Sequence, residues 1–156
     1  CPEVQELSRL LAHTIEQAYQ DTCIPSIIIP VPLHWRKLMS RGFNQSSSIA
    51  RTVATQFSHT KVYENLFIRR KHSRPQHLKT KKQRILDMRD IFTMRIQHNK
   101  VRRGAQPTFR GNSVAIVDDV VTTGATANAL ARTLLNSGAK RVDIWSIART
   151  GWHNAS

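Results

Sequence analysis

Apolar side chains recur at helical spacing over the first twenty residues. Val4, Leu7, Leu10, Leu11, Ile15 and Ala18, with Thr14 on the same stripe, predict an amphipathic helix from Pro2 to Gln20. Pro2 suits a first helical turn, where its missing N–H costs nothing. The period then changes. Ser26 to Pro32 is a β-branched run closed by prolines and predicts a buried strand. Leu33 to Asn44 reads as a polar, basic loop, with Asn44 and Gln45 placed to cap the next helix. Ile49, Ala50, Val53, Ala54 and Phe57 form that second helical stripe, and Val62 to Ile68 predicts a weaker strand. Beyond it, Arg69 to Lys82 reads as an exposed basic loop. Thr80 and Gln83 make a capping box for a short helix through Met88, and Ile91 to Met94 predicts a short strand. Residues 97–112 lack periodicity and read as surface connection.

The last third is the clearest stretch. Val114 to Val117 is a four-residue apolar strand that runs into Asp118 and Asp119. A turn rich in Thr and Gly comes next, then a helix with Ala127, Leu130, Ala131, Leu134 and Leu135 on one side and Gly138 as its C-terminal cap. Arg141 to Ala148 is the next strand. Strand, turn, helix and strand make a βαβ unit, which requires a parallel sheet covered by helices. The fold class is therefore α/β, a mostly parallel sheet flanked by helices, and 156 residues suit one domain spanning 1–156.

Composition narrows the classes. No apolar run approaches the ~20 residues of a membrane-spanning helix, so membrane insertion is not expected. No secretory signal pattern is visible, and a cytoplasmic domain is the expectation. Cys1 and Cys23 are the only cysteines, too few for a disulfide framework or a four-thiolate zinc site. Cys23, ahead of an apolar strand, reads as a small buried hydrophobe, and Trp145 and Trp152 as packing residues. The net charge is +14, and residues 69–103 hold thirteen of the twenty-four Lys and Arg with only Asp87 and Asp90 as acids. Such a surplus attracts polyanions: nucleic acid, acidic membrane surfaces or phosphorylated metabolites.

The candidate site is the segment after the clearest strand, because parallel sheets bind ligands beyond the carboxyl ends of their strands. Asp118 and Asp119 can accept hydrogen bonds from vicinal sugar hydroxyls. Thr122, Thr123 and Thr126 supply hydroxyl donors, while Gly124 lets backbone N–H groups curl around an anion at a helix start. Carboxylates repel a phosphate, so they must face the ribose while the Thr/Gly turn faces the phosphate. Neither a dinucleotide fingerprint nor a Walker loop is present.

Val114 to Thr126 resembles the phosphoribosyl-pyrophosphate (PRPP) motif of type I phosphoribosyltransferases: four apolar residues, two acids and a Thr/Gly phosphate turn. The resemblance implies that Asp118 and Asp119 hold the ribose hydroxyls, in the catalytic position, while Thr122, Thr123, Gly124, Ala125 and Thr126 cradle the 5-phosphate. Val31-Pro32-Leu33-His34, Arg36 and Arg41-Gly42-Phe43-Asn44-Gln45, with Gln76, Arg84 and Phe92, resemble the signature of the competence protein F (ComF) family and its related GntX group. That likeness covers roughly residues 26–150. It implies a type I phosphoribosyltransferase-like domain and a part in DNA uptake during natural transformation. The cysteine-rich zinc segment usual in the family is not among these residues, and Asp87 stands where the family pattern has asparagine.

The remaining basic segments take roles from charge and from the resemblance. Arg36, Lys37 and Arg41 beside Gly42 form a candidate pyrophosphate loop. Arg69, Arg70, Lys71, Lys79, Lys81 and Lys82 fit either a lid over PRPP or a contact with single-stranded DNA. His72 and His77 have no partner ligands at useful spacing, so no resident metal site is read. Magnesium would enter with the pyrophosphate and complete its shell with water. Trp35 is placed either to stack on a ligand or to cover the core edge. Three functions fit these features. One is a PRPP-binding competence protein contacting single-stranded DNA. A second is an active phosphoribosyltransferase, for which no base-recognition hood is visible. The third is an interaction module for a competence helicase.

Overall fold

Four consecutive residues of β1 (Ile27–Pro30) are buried, which only a strand covered on both faces allows. In the computed structural model, which describes residues 2–33, 42–69, 92–94 and 107–150, this strand lies inside a parallel sheet. The other elements are α1 (Pro2–Ala18), α2 (Gln45–Ala54), β2 (Lys61–Val62), β3 (Phe67–Arg69), β4 (Phe92–Met94), β5 (Ser113–Val121), α3 (Ala125–Asn136) and β6 (Arg141–Arg149). The sheet order is β2-β1-β5-β6 with every pair parallel, and β3 and β4 form a separate antiparallel pair. The α/β architecture, a parallel sheet flanked by helices, is thus the one expected from the sequence.

Side-chain alternation divides the core in two. Ile27, Ile29, Val114 and Ile116 pack with Leu130 and Leu134 of α3 on one face. Ile28, Ala115, Val117 and Trp145 pack with Ala12 and Ile15 of α1 and Ile49 and Val53 of α2 on the other. Each fully buried Ile or Leu contributes about 1.5–3 kcal/mol, so the central strands are held from both sides. Among the described residues no helix is long and apolar enough to cross a membrane.

Several expectations need correction. The buried face of α1 is Ser8, Ala12 and Ile15, whereas Leu7 and Leu10 are exposed. Small residues allow the helix to approach its neighbours closely, and the Ser8 hydroxyl satisfies itself by donating to the Val4 carbonyl. The strand expected over Val62 to Ile68 is split between β2 and β3. Asn65 adopts φ 58°, a left-handed conformation that breaks a strand and that Asn tolerates better than most residues. Cys23 is exposed, not buried, because it lies in the connection that brings the chain from α1 to β1. Phe109, in a stretch expected to be surface, is buried against Phe67 with ring centroids 6.2 Å apart. Trp145 packs as expected, edge-on to Tyr19.

Candidate functional site

The site arises where the chain turns in opposite directions. From β1 it passes through α2 to β2 on one side. From β5 it passes through α3 to β6 on the other, so a crevice opens between the carboxyl ends of β1 and β5. The Val31 N–H donates to the Val117 carbonyl at 2.8 Å, just past the end of β1. β5 continues through Val121, paired with β6. Asp118 and Asp119 therefore belong to the second half of β5 rather than following a strand that stops at Val117. The correction has a simple cause: pairing with β6 extends the strand through polar residues that hydrophobicity alone would exclude.

Asp118 is half-buried. Its Oδ1 accepts from the Asp119 N–H at 3.0 Å and from the Ser46 hydroxyl at 3.3 Å. Burial is the main reason its carboxyl is pushed up from 3.8 to about 6. A side-chain hydrogen bond and charge repulsion from Asp119 add to that, while the Asp119 N–H and the Ser46 hydroxyl pull the other way. The Asp119 Oδ1 accepts from the Val120 N–H at 2.9 Å. A desolvated acid beside a second acid is eased by a hydroxyl donor or a hydrated cation placed between them. Perturbed acids in a crevice are a mark of functional sites.

The turn into α3 supplies the opposite polarity. Gly124 is the N-cap with φ 73°, a left-handed conformation that glycine enters without steric cost. Thr123 Oγ1 accepts from the Ala125 N–H at 3.3 Å, and the Gly124 carbonyl takes the first helical bond, from the Asn128 N–H at 2.8 Å. The first N–H groups of a helix have no acceptor within it and carry partial positive charge. α3 has no acid in its first turn to neutralise them. Asp118, Val120 and the run Val121 to Ala127 line a hollow open to solvent. This arrangement can hold a phosphate at the helix start with a hydroxyl-bearing group toward Asp118.

The structure thus brings together Asp118, Thr122, Thr123, Gly124, Ala125 and Thr126. Asp119 is adjacent but outside the lining of the hollow. Val120, Val121, Ala127 and Ser46 were not singled out by the sequence. The first three adjoin the motif, whereas Ser46 meets Asp118 across 72 positions and leaves no local signal. Asn44 does cap α2 as expected: its side chain accepts from the Ser46 N–H at 3.2 Å. Arg69 is exposed at the end of β3. Arg36, Lys37, Arg41, Arg70, Lys71, Lys79, Lys81 and Lys82 lie outside the described residues, as do the expected helix after Thr80, Trp35, His72, His77, Gln76, Arg84, Asp87 and Trp152. Among the described residues no group of three or more His, Cys, Asp or Glu could hold a metal ion.

The model of the phosphoribosyl transferase domain family matches residues 44–151. Competence protein F of Haemophilus influenzae is 29% identical over 145 residues, which is 92% of this chain and 59% of that protein. DNA utilization protein YhgH of Escherichia coli is 32% identical over 146 residues, again 92% and 59%. The chain therefore spans somewhat over half the length of the curated relatives it matches. The purine phosphoribosyltransferase of Pyrococcus horikoshii superposes with a TM-score of 0.54 at 16% identity, over 98% of this chain and 77% of that one. A hypoxanthine phosphoribosyltransferase variant of Trypanosoma cruzi, solved with its product IMP, gives 0.56 at 13% identity, over 96% and 74%. At these identities the structural likeness establishes the fold.

Proposed function

The chain belongs to the phosphoribosyl transferase domain family, within the competence protein F group, and from that premise we propose that it binds PRPP or a related sugar phosphate in the service of DNA uptake. The observation that carries the reading is the hollow shared by Asp118 and the start of α3. The 5-phosphate sits on the turn from Thr122 to Thr126, where the N–H groups at the start of α3 and the threonine hydroxyls can donate to it. The ribose hydroxyls donate to Asp118 and Asp119, which keeps both acids away from the phosphate. Residues 1–156 act as one domain in this reading, in the cytoplasm where PRPP and incoming single strands would meet.

Arg36, Lys37 and Arg41, which come between Val31 and Asn44 in the sequence, are assigned to the pyrophosphate on their charge and on the family resemblance. Among the described residues the donor set at the site is a pair of carboxylates without a third ligand. It fits a magnesium ion that arrives on a diphosphate and keeps most of its water, with Asp118 and Asp119 receiving that water shell. Such an ion would neutralise charge on the departing pyrophosphate. Arg69, with Arg70, Lys71, Lys79, Lys81 and Lys82 beyond it, gives the chain its contact with single-stranded DNA or closes over the ligand. A helicase working on the same strand is the partner this role would call for.

Titration calorimetry with magnesium and PRPP tests the reading. Saturable heat is expected, with affinity reduced at least tenfold in the Asp118→Asn/Asp119→Asn double variant. No heat with millimolar ligand would overturn it. The second reading, transfer of ribose 5-phosphate to a nucleobase, is favoured by the fold shared with purine and hypoxanthine phosphoribosyltransferases. Pyrophosphate release that depends on one member of a nucleobase panel would establish it.

A further inference from the structure

The Asp118 carboxyl is the last link in a ring of hydrogen bonds that crosses the crevice. The Val31 N–H donates to the Val117 carbonyl at 2.8 Å, and the Val31 carbonyl accepts from Asn44 Nδ2 at 3.0 Å. Asn44 Oδ1 accepts from the Ser46 N–H at 3.2 Å. The Ser46 hydroxyl then donates to Asp118 Oδ1 at 3.3 Å, and Asp118 comes after Val117 in the chain, which closes the circuit. Three elements meet in it: the end of β1, the start of α2 and the middle of β5.

Ser46 is only 3% exposed. A buried hydroxyl must be hydrogen-bonded to be tolerated, and the bond this one makes across the crevice goes to the carboxyl of the candidate site. Asp118 Oδ1 receives two donors, from Ser46 and from the Asp119 N–H, so that oxygen is fixed in place. A carboxyl anchored through one oxygen cannot turn freely, and its remaining acceptor capacity has a set direction. Capping of α2 does not need the Ser46 side chain, because Asn44 supplies it.

We infer that Ser46 is a positioning residue for the sugar: its hydroxyl orients the Asp118 carboxyl toward the ligand's hydroxyls and ties that orientation to the base of the connection between β1 and α2. The role rests on the sugar-phosphate reading of the site. It also separates two parts of one ligand. The phosphate is served by the turn into α3, which the ring does not include. The pentose is served by Asp118, which the ring holds.

The test compares ribose 5-phosphate with inorganic phosphate by titration calorimetry at one pH. In Ser46→Ala the affinity for ribose 5-phosphate should fall about fivefold to tenfold, the scale of a single ordinary hydrogen bond. Affinity for inorganic phosphate should stay within about twofold of the parent. Ser46→Thr, which keeps the hydroxyl, should restore ribose 5-phosphate binding. Ser46→Cys, similar in size but a weak donor, should behave like Ser46→Ala and covers the case in which the smaller residue fails to fold. Parent-like binding of ribose 5-phosphate by both donor-poor variants would overturn the role of Ser46 alone. So would an equal loss for inorganic phosphate, or a failure of Ser46→Thr to rescue. Absence of ribose 5-phosphate binding by the parent would instead remove the sugar-phosphate reading and, with it, this inference.

Discussion

Replacing Asp118 by Asn should make the protein more stable while weakening its hold on a sugar phosphate. The folded state raises the Asp118 carboxyl from 3.8 to about 6, chiefly by burial, so ionised Asp118 is less favourable there than in the unfolded chain. Between these two values the folded state keeps a proton that the unfolded state releases, and stability falls as the pH rises through that window. Above it the whole penalty is present. One pKa unit corresponds to about 1.4 kcal/mol, which gives about 3 kcal/mol for full transmission. Asp118 is partly open to solvent, and screening reduces this to about 1–2 kcal/mol. For a chain of this size the gain amounts to a rise in melting temperature of about 3–6 °C.

Thermal or urea unfolding of parent and Asp118→Asn between pH 4.5 and 7.5 reads the effect directly. About a third of the full difference should be present at pH 4.5, and all of it at pH 7.5. Equal stability at pH 7.5 would refute the reasoning, as would a gain that does not depend on pH. Either result would mean that the folded protein does not hold Asp118 under electrostatic stress.

Other consequences can be checked with the same material. Gly124→Ala places a side chain at φ 73°, where the new Cβ has room beside Asn128 but the backbone conformation is unfavourable. Thermal unfolding should show a loss of about 1–2 kcal/mol, and calorimetry a weaker phosphate. Tyr19→Phe removes a hydroxyl that donates to Asp143 at 2.5 Å and accepts from the Trp145 indole at 3.1 Å. It should cost about 1–2 kcal/mol of stability and leave ligand affinity unchanged, since these contacts tie the turn after α1 to β6 rather than to the turn before α3. Neutralising Arg69, Arg70 and Lys71 together should lower the slope of log affinity against log salt for single-stranded DNA by about 2. An unchanged slope would remove that segment from the DNA contact.

How much of the fold and site was legible in the sequence depends on what each residue packs against. Val114 to Val117 and Ile27 to Pro30 are buried on both faces, so their β-branched runs announce themselves. Asp118 to Thr126 forms a local motif, and a contiguous turn at a helix start is the kind of site a sequence can display. The buried face of α1 was legible only in part: Val4, Leu11 and Ile15 pack inward as their spacing predicts, but close packing selected Ser8 and Ala12 over the more hydrophobic Leu7 and Leu10. The continuation of β5 past Val117 depends on register with β6, and no residue within the strand encodes its neighbour. Ser46 is the plainest case. Three serines in a row at a helix start look alike, and only the sheet order brings the first of them to Asp118.

A crystal structure with ribose 5-phosphate bound is the most direct measurement of the central claim. Phosphate oxygens are expected about 2.7–3.2 Å from backbone N–H groups of the turn spanning Gly124 to Thr126, with pentose hydroxyls at the same range from the Asp118 and Asp119 carboxylates. A sugar phosphate seated elsewhere, or one whose phosphate faces the two acids, would contradict it.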